Sequence, residues 1–133
     1  MVTLKLNIIV FLGLITIILS CSTLRRKEIV IKGNYKITKV EKVNNNTSKL
    51  VCIVYDKETG ALLPNAVVQV NELNIGGFTK EDGTLELDIP AGKYTIKVTN
   101  LGNTDMKTSF IRFVSNTKTE IKFNLGIRFF MCG

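Results

Sequence analysis

The sequence predicts an all-β domain, a β-sandwich of about seven strands running from Leu50 to the region of Leu125. Three observations predict it. Short apolar or alternating runs recur at fairly regular intervals. Clusters of Gly, Pro, Asn and Asp separate them. No window of about 10–12 residues carries the apolar stripe of an amphipathic helix.

The chain opens on a segment of another kind. Lys5 supplies the one positive charge of a short n-region, and Ile8 through Leu19 is apolar apart from Gly13 and Thr16. A core this short fits a secretory h-region better than a membrane span, which needs about 20 apolar residues. Small Ser20 then precedes Cys21, and Ile18-Leu19-Ser20-Cys21 resembles the lipobox of bacterial lipoproteins, with Leu19 where a smaller residue is commoner. The resemblance implies a signal peptide over residues 1–20, an acylated Cys21 thiol and a mature chain anchored at the bacterial cell envelope by lipid. Each buried methylene contributes about 0.8 kcal/mol, and several acyl chains hold a small domain without a spanning helix. An uncleaved signal anchor is the competing reading, and it leaves the domain on the same side of the membrane. Ser22 is not the Asp that often retains lipoproteins at the inner membrane, so the outer membrane is favoured.

Residues 21–49 read as a basic tether. Of the net charge of +7, most lies here: residues 22–49 carry eight basic and two acidic side chains, whereas residues 50–133 carry nine of each. Arg25, Arg26 and Lys27 are candidates for contact with anionic headgroups, each such cation being worth about 1 kcal/mol close to the surface. A solvated spacer is the plainer alternative. Nucleic acid is a poor partner, since the basic stretch lacks interleaved aromatics and the chain is exported. Glu28–Lys32 and Tyr35–Val43 cluster β-branched residues around a Gly33-Asn34 break. Tyr35–Val43 is expected to form an extra strand in a hairpin with the strand that starts at Leu50.

Within residues 50–126 the elements follow in order. Leu50–Tyr55 is the first run, with Leu50, Cys52 and Val54 on one face. Asp56-Lys57-Glu58-Thr59-Gly60 turns, and Pro64-Asn65 breaks before Ala66–Val70. Gly76-Gly77 precedes a short strand at Phe78-Thr79, and Glu81-Asp82-Gly83 turns into Thr84–Ile89. Pro90 ends that strand because it donates no ladder bond, and Gly92 leads into Tyr94–Thr99. Leu101–Asp105 is a loop. Thr108–Val114 leaves its inner face open between Ile111/Phe113 and Phe110/Val114. Thr119–Leu125 alternates Ile121, Phe123 and Leu125 with polar neighbours. Residues 127–133 form an apolar tail, in which Phe129 and Phe130 either pack on their own domain or meet a partner.

The order Asp56, Thr59-Gly60, Leu63-Pro64, Ala66, Thr79, Asp82-Gly83, Leu85, Pro90, Gly92, Tyr94 resembles the carboxypeptidase regulatory-like domain, a transthyretin-like β-sandwich. The chain departs from that pattern at Cys52 and at Asn65, both where Gly is common, and at Gly102-Asn103, where many members have Gly-Tyr. The resemblance implies a module that sits beside larger machinery such as outer-membrane transporters and peptidases. It implies no reaction.

The composition excludes much chemistry. The chain has no His, which removes histidine bases, Ser-His and Cys-His pairs and His metal sites. No catalytic residue, metal site or cofactor is therefore expected. The acidic residues Glu81, Asp82, Glu86 and Asp88 read as a solvated hairpin rather than a Ca²⁺ site. After lipidation Cys52 and Cys132 remain: export permits a disulfide, while the face of Cys52 suits a buried free thiol. The expected function is a non-enzymatic binding or structural module with a protein partner in the envelope. Alternatives are a carbohydrate- or peptide-binding accessory of an outer-membrane transport system, with Tyr35, Tyr55 or Phe78 as stacking platforms, and a hydrolase on a transthyretin-like fold.

Overall fold

The computed structural model describes residues 26–44 and 46–132, so the leader, Cys21 and Arg25 lie outside the described residues. Val30–Arg128 forms one compact unit, and the described residues 26–29 and 129–132 belong to a second. All regular structure among the described residues is β, in twelve strands.

The larger sheet runs in the order β2 (Asn34–Lys42), β11 (Thr117–Leu125), β3 (Ser48–Asp56), β6 (Thr84–Ile89). Its centre is the parallel pair β3–β11, with Cys52 beside Ile121 and Val54 beside Phe123. Side chains alternate across a strand, so Leu50, Cys52 and Val54 point the same way as Ile121, Phe123 and Leu125. All six have 0 % exposure. The second sheet runs β5 (Ile75–Phe78), β4 (Val67–Val70), β8 (Ile96–Thr99), β9 (Met106–Lys107). Val68, Val70, Ile96 and Val98 add its half of the core. β7 (Gly92–Tyr94) pairs with β10 (Ile111–Phe113), and β1 (Arg26–Ile31) pairs with β12 (Ile127–Cys132). The apolar tail at 127–133 is thus mostly strand β12, with Gly133 outside the described residues.

Four sequence expectations need correction. The first is strand number, because long runs break where the chain changes partner. Tyr94–Thr99 pairs with β10 through Tyr94 and with β4 from Ile96 onward. Thr95 at the break loses its ladder, and side chains replace it. Its N–H and hydroxyl donate to the Glu72 carboxylate, and its carbonyl accepts the Asn71 N–H. Thr108 does the same for Ile96: its Oγ1 accepts the Ile96 N–H at 2.9 Å, and its own N–H donates to the Ile96 carbonyl. The expected run Thr108–Val114 is shortened to β10, and Ile111 and Phe113 face in while Phe110 and Val114 are exposed.

The second correction concerns β2. It is a strand, but it does not hairpin onto β3. β11 lies between them, antiparallel to β2 and parallel to β3. The two neighbours of β11 are strands of its own length, and β3 gives its other side to β6. A bulge between Glu120 and Ile121 leaves Thr38 unpaired in the ladder, and its hydroxyl donates to the Glu120 carbonyl.

Thirdly, the glycines at 76 and 77 lie inside β5. A Cβ on Gly76 would sit 2.4 Å from the Val68 carbonyl oxygen, so only glycine lets β5 approach β4 this closely. Thr79 falls outside the strand and pins the preceding turn: its Oγ1 accepts the Ala66 N–H and donates to the Leu63 carbonyl. Asn65 in that turn has φ 58°, which explains how Asn stands where glycine is common. Finally, the role of Gly92 is clearance. A Cβ there would meet the Tyr94 hydroxyl at 2.7 Å, the same hydroxyl that donates to the Pro90 carbonyl.

Candidate functional site

The predicted contact residues fall in different places. Arg26 and Lys27 open β1, with their side chains outside the described set. Phe129 and Phe130 lie in β12, and both are exposed.

The acidic residues of the β6 hairpin do not converge. Asp82 Oδ1 accepts the backbone N–H and the hydroxyl of Thr84, which holds its carboxyl below the usual range. Glu86 lies on the outer face of the larger sheet between Lys49 and Lys118, at 3.6 and 3.7 Å. Such exposed pairs contribute little to stability. No group of three potential metal ligands comes together among the described residues.

Cys52 is a free thiol buried in the core, and burial pushes its pKa up to about 12. A neutral thiol without access to solvent is neither nucleophile nor ligand. Ser48 Oγ is buried and has no hydrogen-bond partner, and a hydroxyl enclosed between sheets without a base carries no reaction. Of the aromatics proposed for stacking, Tyr35 is tied to Ser109 at 2.7 Å and Tyr55 lies under Lys122 Nζ at 4.5 Å. Phe78 alone of the three is open, at 66 % exposure. It sits opposite Val67 on the edge strand β5.

A cleft of about 520 Å³ lies within the Val30–Arg128 unit. Two distant stretches form its walls: Lys32-Gly33, just after β1, and the loop that runs through Asp105 to Lys107 in β9. Arg128 adds a third cationic wall residue, against the one carboxylate of Asp105. Gly33 is required for the closure, because a Cβ there would lie 2.4 Å from the Asn124 carbonyl oxygen and 2.6 Å from Met106 Cε. Lys57 Nζ reaches the Lys32 carbonyl at 2.8 Å, so a further cation stands at the rim. Lys97 lies directly across the β8–β9 ladder from Lys107, and the Glu72 carboxylate stands near enough to Lys107 to offset part of this like-charge pairing.

Asn103 fastens the loop. Its Nδ2 donates to Asp56 Oδ2 and to the Gly126 carbonyl, both at 3.1 Å, while its Oδ1 accepts from Asn100 Nδ2 at 2.8 Å. The Asn103 amide is the largest cause of the lowered pKa of Asp56, followed by the N–H groups of Thr59 and Glu58. Asp56, read from sequence as a turn residue, therefore also anchors the loop. The departure at Gly102-Asn103 was the sequence signal for this. Lys32 and Lys107 gave none, because nothing local ties residues so far apart.

Several polar groups elsewhere in the sandwich serve the backbone. Glu72, Thr79, Asp82, Tyr94 and Thr108 each bond main-chain groups at turns and partner switches.

A family model described as the CarboxypepD_reg-like domain matches residues 53–126. No curated protein matches the chain.

Proposed function

The chain belongs to the CarboxypepD_reg-like domain family, and from that premise we propose that it is a non-enzymatic lipoprotein of the bacterial envelope whose β-sandwich is a binding or structural module. One observation carries the non-enzymatic reading. Five of the side chains that could do chemistry hold the chain where strands turn or change partner: Asp56, Glu72, Thr79, Asp82 and Thr108 bond main-chain N–H groups. Groups so occupied build a scaffold and are not poised for a substrate. The anchor rests on Ile18-Leu19-Ser20-Cys21, and the outer membrane on Ser22.

A peptide-binding accessory role is favoured by one further feature. β5 is an edge strand, and Val67, Ile75 and Phe78 about it are exposed. An extended segment of a partner could add to that edge by main-chain hydrogen bonds, with Phe78 as its apolar contact.

The test is Cys21→Ser in cells fed a labelled fatty acid. The expected outcome is loss of label and release of the protein into the soluble envelope fraction. Firm membrane attachment of the unlabelled variant would sink the lipoprotein reading. Cross-linking in the native envelope then identifies the partner.

A further inference from the structure

We propose that the domain itself docks on an anionic bilayer surface, with the Leu101 tip entering the headgroup layer and the Lys32–Lys107 cleft receiving anionic headgroups. The inference rests on the lipid-anchored reading only for bringing the domain to a membrane.

Leu101 is the first observation. It is 99 % exposed, more than any other large apolar residue among those described. It sits on a turn whose next residue, Gly102, has φ 88°. The turn is braced at its base. The Asn103 N–H donates to the Asn100 carbonyl at 3.1 Å, and the Asn100 side-chain amide reaches both the Leu101 carbonyl and Asn103 Oδ1. Asn103 in turn is fixed to Asp56 and to Gly126. A braced turn therefore presents an isobutyl group wholly to water.

Charge is the second observation, and it is independent. The same loop continues into the cleft wall at Asn103–Lys107, where Lys107 and Lys32 face one carboxylate, Asp105. Lys57 lies at the rim through its bond to the Lys32 carbonyl. Opposite Lys107 stands Lys97. Glu72, whose oxygens accept from Thr95, is near enough to Lys107 to offset part of its charge. The surface beside the apolar tip thus sets Lys32, Lys57, Lys97, Lys107 and Arg128 against Asp56, Glu72 and Asp105, a net positive balance.

The third observation is connectivity. Val30, Lys32 and Gly33, among the first residues of this unit, line the cleft. The chain of this unit therefore begins at the cleft wall, to which the Leu101 loop also contributes through Asn103 to Lys107. An apolar side chain in the interface and cations at the headgroup plane are the two terms that hold an amphipathic surface on a bilayer.

The chain contains no Trp, so Leu101→Trp introduces a sole indole reporter. The full lipidated chain, reconstituted into vesicles with about one third phosphatidylglycerol, is compared with Phe78→Trp, whose site on β5 is also exposed. We expect blue-shifted emission and quenching by brominated lipid at position 101, and water-like emission at position 78. Pure phosphatidylcholine vesicles should reduce the quenching. Adding Lys32→Gln and Lys107→Gln should lower the docking constant about 25-fold, as about fivefold per cation corresponds to about 1 kcal/mol each. Flotation with the vesicles while the indole at position 101 stays water-like overturns the docking and leaves the anchor intact. Failure to float overturns both. Equal quenching at 78 and 101, or in the charge variant, overturns the proposed face. Loss of quenching on adding inorganic phosphate, but not chloride of the same ionic strength, would assign the cleft to free phosphate and overturn headgroup docking.

Discussion

The β3–β11 pair and the Asn100–Asp105 loop are built on opposite rules. In the pair, every second side chain is withdrawn from water, and Phe123 has 0 % exposure with its ring 6.3 Å from that of Tyr35. In the loop, the one large apolar side chain is 99 % exposed and the order comes from amides bonded to amides, a carboxylate and main chain. The first arrangement gains stability from area removed from water. The second gains position, and leaves its apolar group unspent. Stability and, in the docking proposed above, recognition are thus housed in separate parts of one domain, a division expected of a scaffold that binds through its loops.

The sharpest way to break this comparison is at its stable side. Phe123→Ala should cost about 3–5 kcal/mol, the sum of lost transfer energy and the cavity left behind. Urea unfolding followed by circular dichroism reads it. A cost below about 1 kcal/mol would mean that the centre of the sheet is loosely packed and that the contrast with the loop is false.

The stable side was also the legible one. The alternations at Leu50–Val54, Leu85–Ile89 and Ile121–Leu125 are local, with a period of two, and the structure puts Leu50, Cys52, Val54, Ile89, Ile121, Phe123 and Leu125 at 0 % exposure. The turns at Asp56–Gly60 and Asp82-Gly83 were legible for a similar reason, since Asp56 Oδ1 accepts from Glu58 and Thr59 nearby. What could not be read was anything set by partners distant in sequence. β11 displaces the expected β2–β3 hairpin because it matches both strands in length, and no residue of β2 announces that. The partner switch at Thr95 depends on Glu72, and the cleft depends on Lys32 meeting Lys107. Such meetings are properties of topology rather than of pattern.

A smaller effect sharpens the comparison at the base of the loop. Asn103→Ala should cost about 1–2 kcal/mol at neutral pH, since it removes donors from Asp56 and from the Gly126 carbonyl. The loss should depend on pH in a defined direction. The folded pKa of Asp56 is lowered, with the Asn103 amide as the first cause. The stability this carboxylate contributes is present above the unfolded value of about 3.9 and is lost as pH falls through the folded value. The gap between wild type and Asn103→Ala should therefore narrow below about pH 4, by a modest amount because solvent screens the site. Urea midpoints at pH 7 and pH 3 check this. A gap unchanged between them would show that the amide serves the Gly126 carbonyl alone.

The smallest expected effect is at the tip, and its smallness is the point. A side chain that removes no area from water on folding has no transfer energy to lose. Leu101→Ser should change stability by less than about 0.5 kcal/mol, as at any surface position without packing or hydrogen-bonded partners. The main-chain bonds of the turn, from Asn103 to Asn100 and from the Asn100 amide to the Leu101 carbonyl, survive the substitution. Thermal and urea midpoints should thus coincide with wild type, in contrast to Phe123→Ala. A loss above about 1 kcal/mol would show that Leu101 packs against the domain in solution. It would then have nothing to offer a membrane, and the separation of stability from recognition would fail at the residue that states it most plainly.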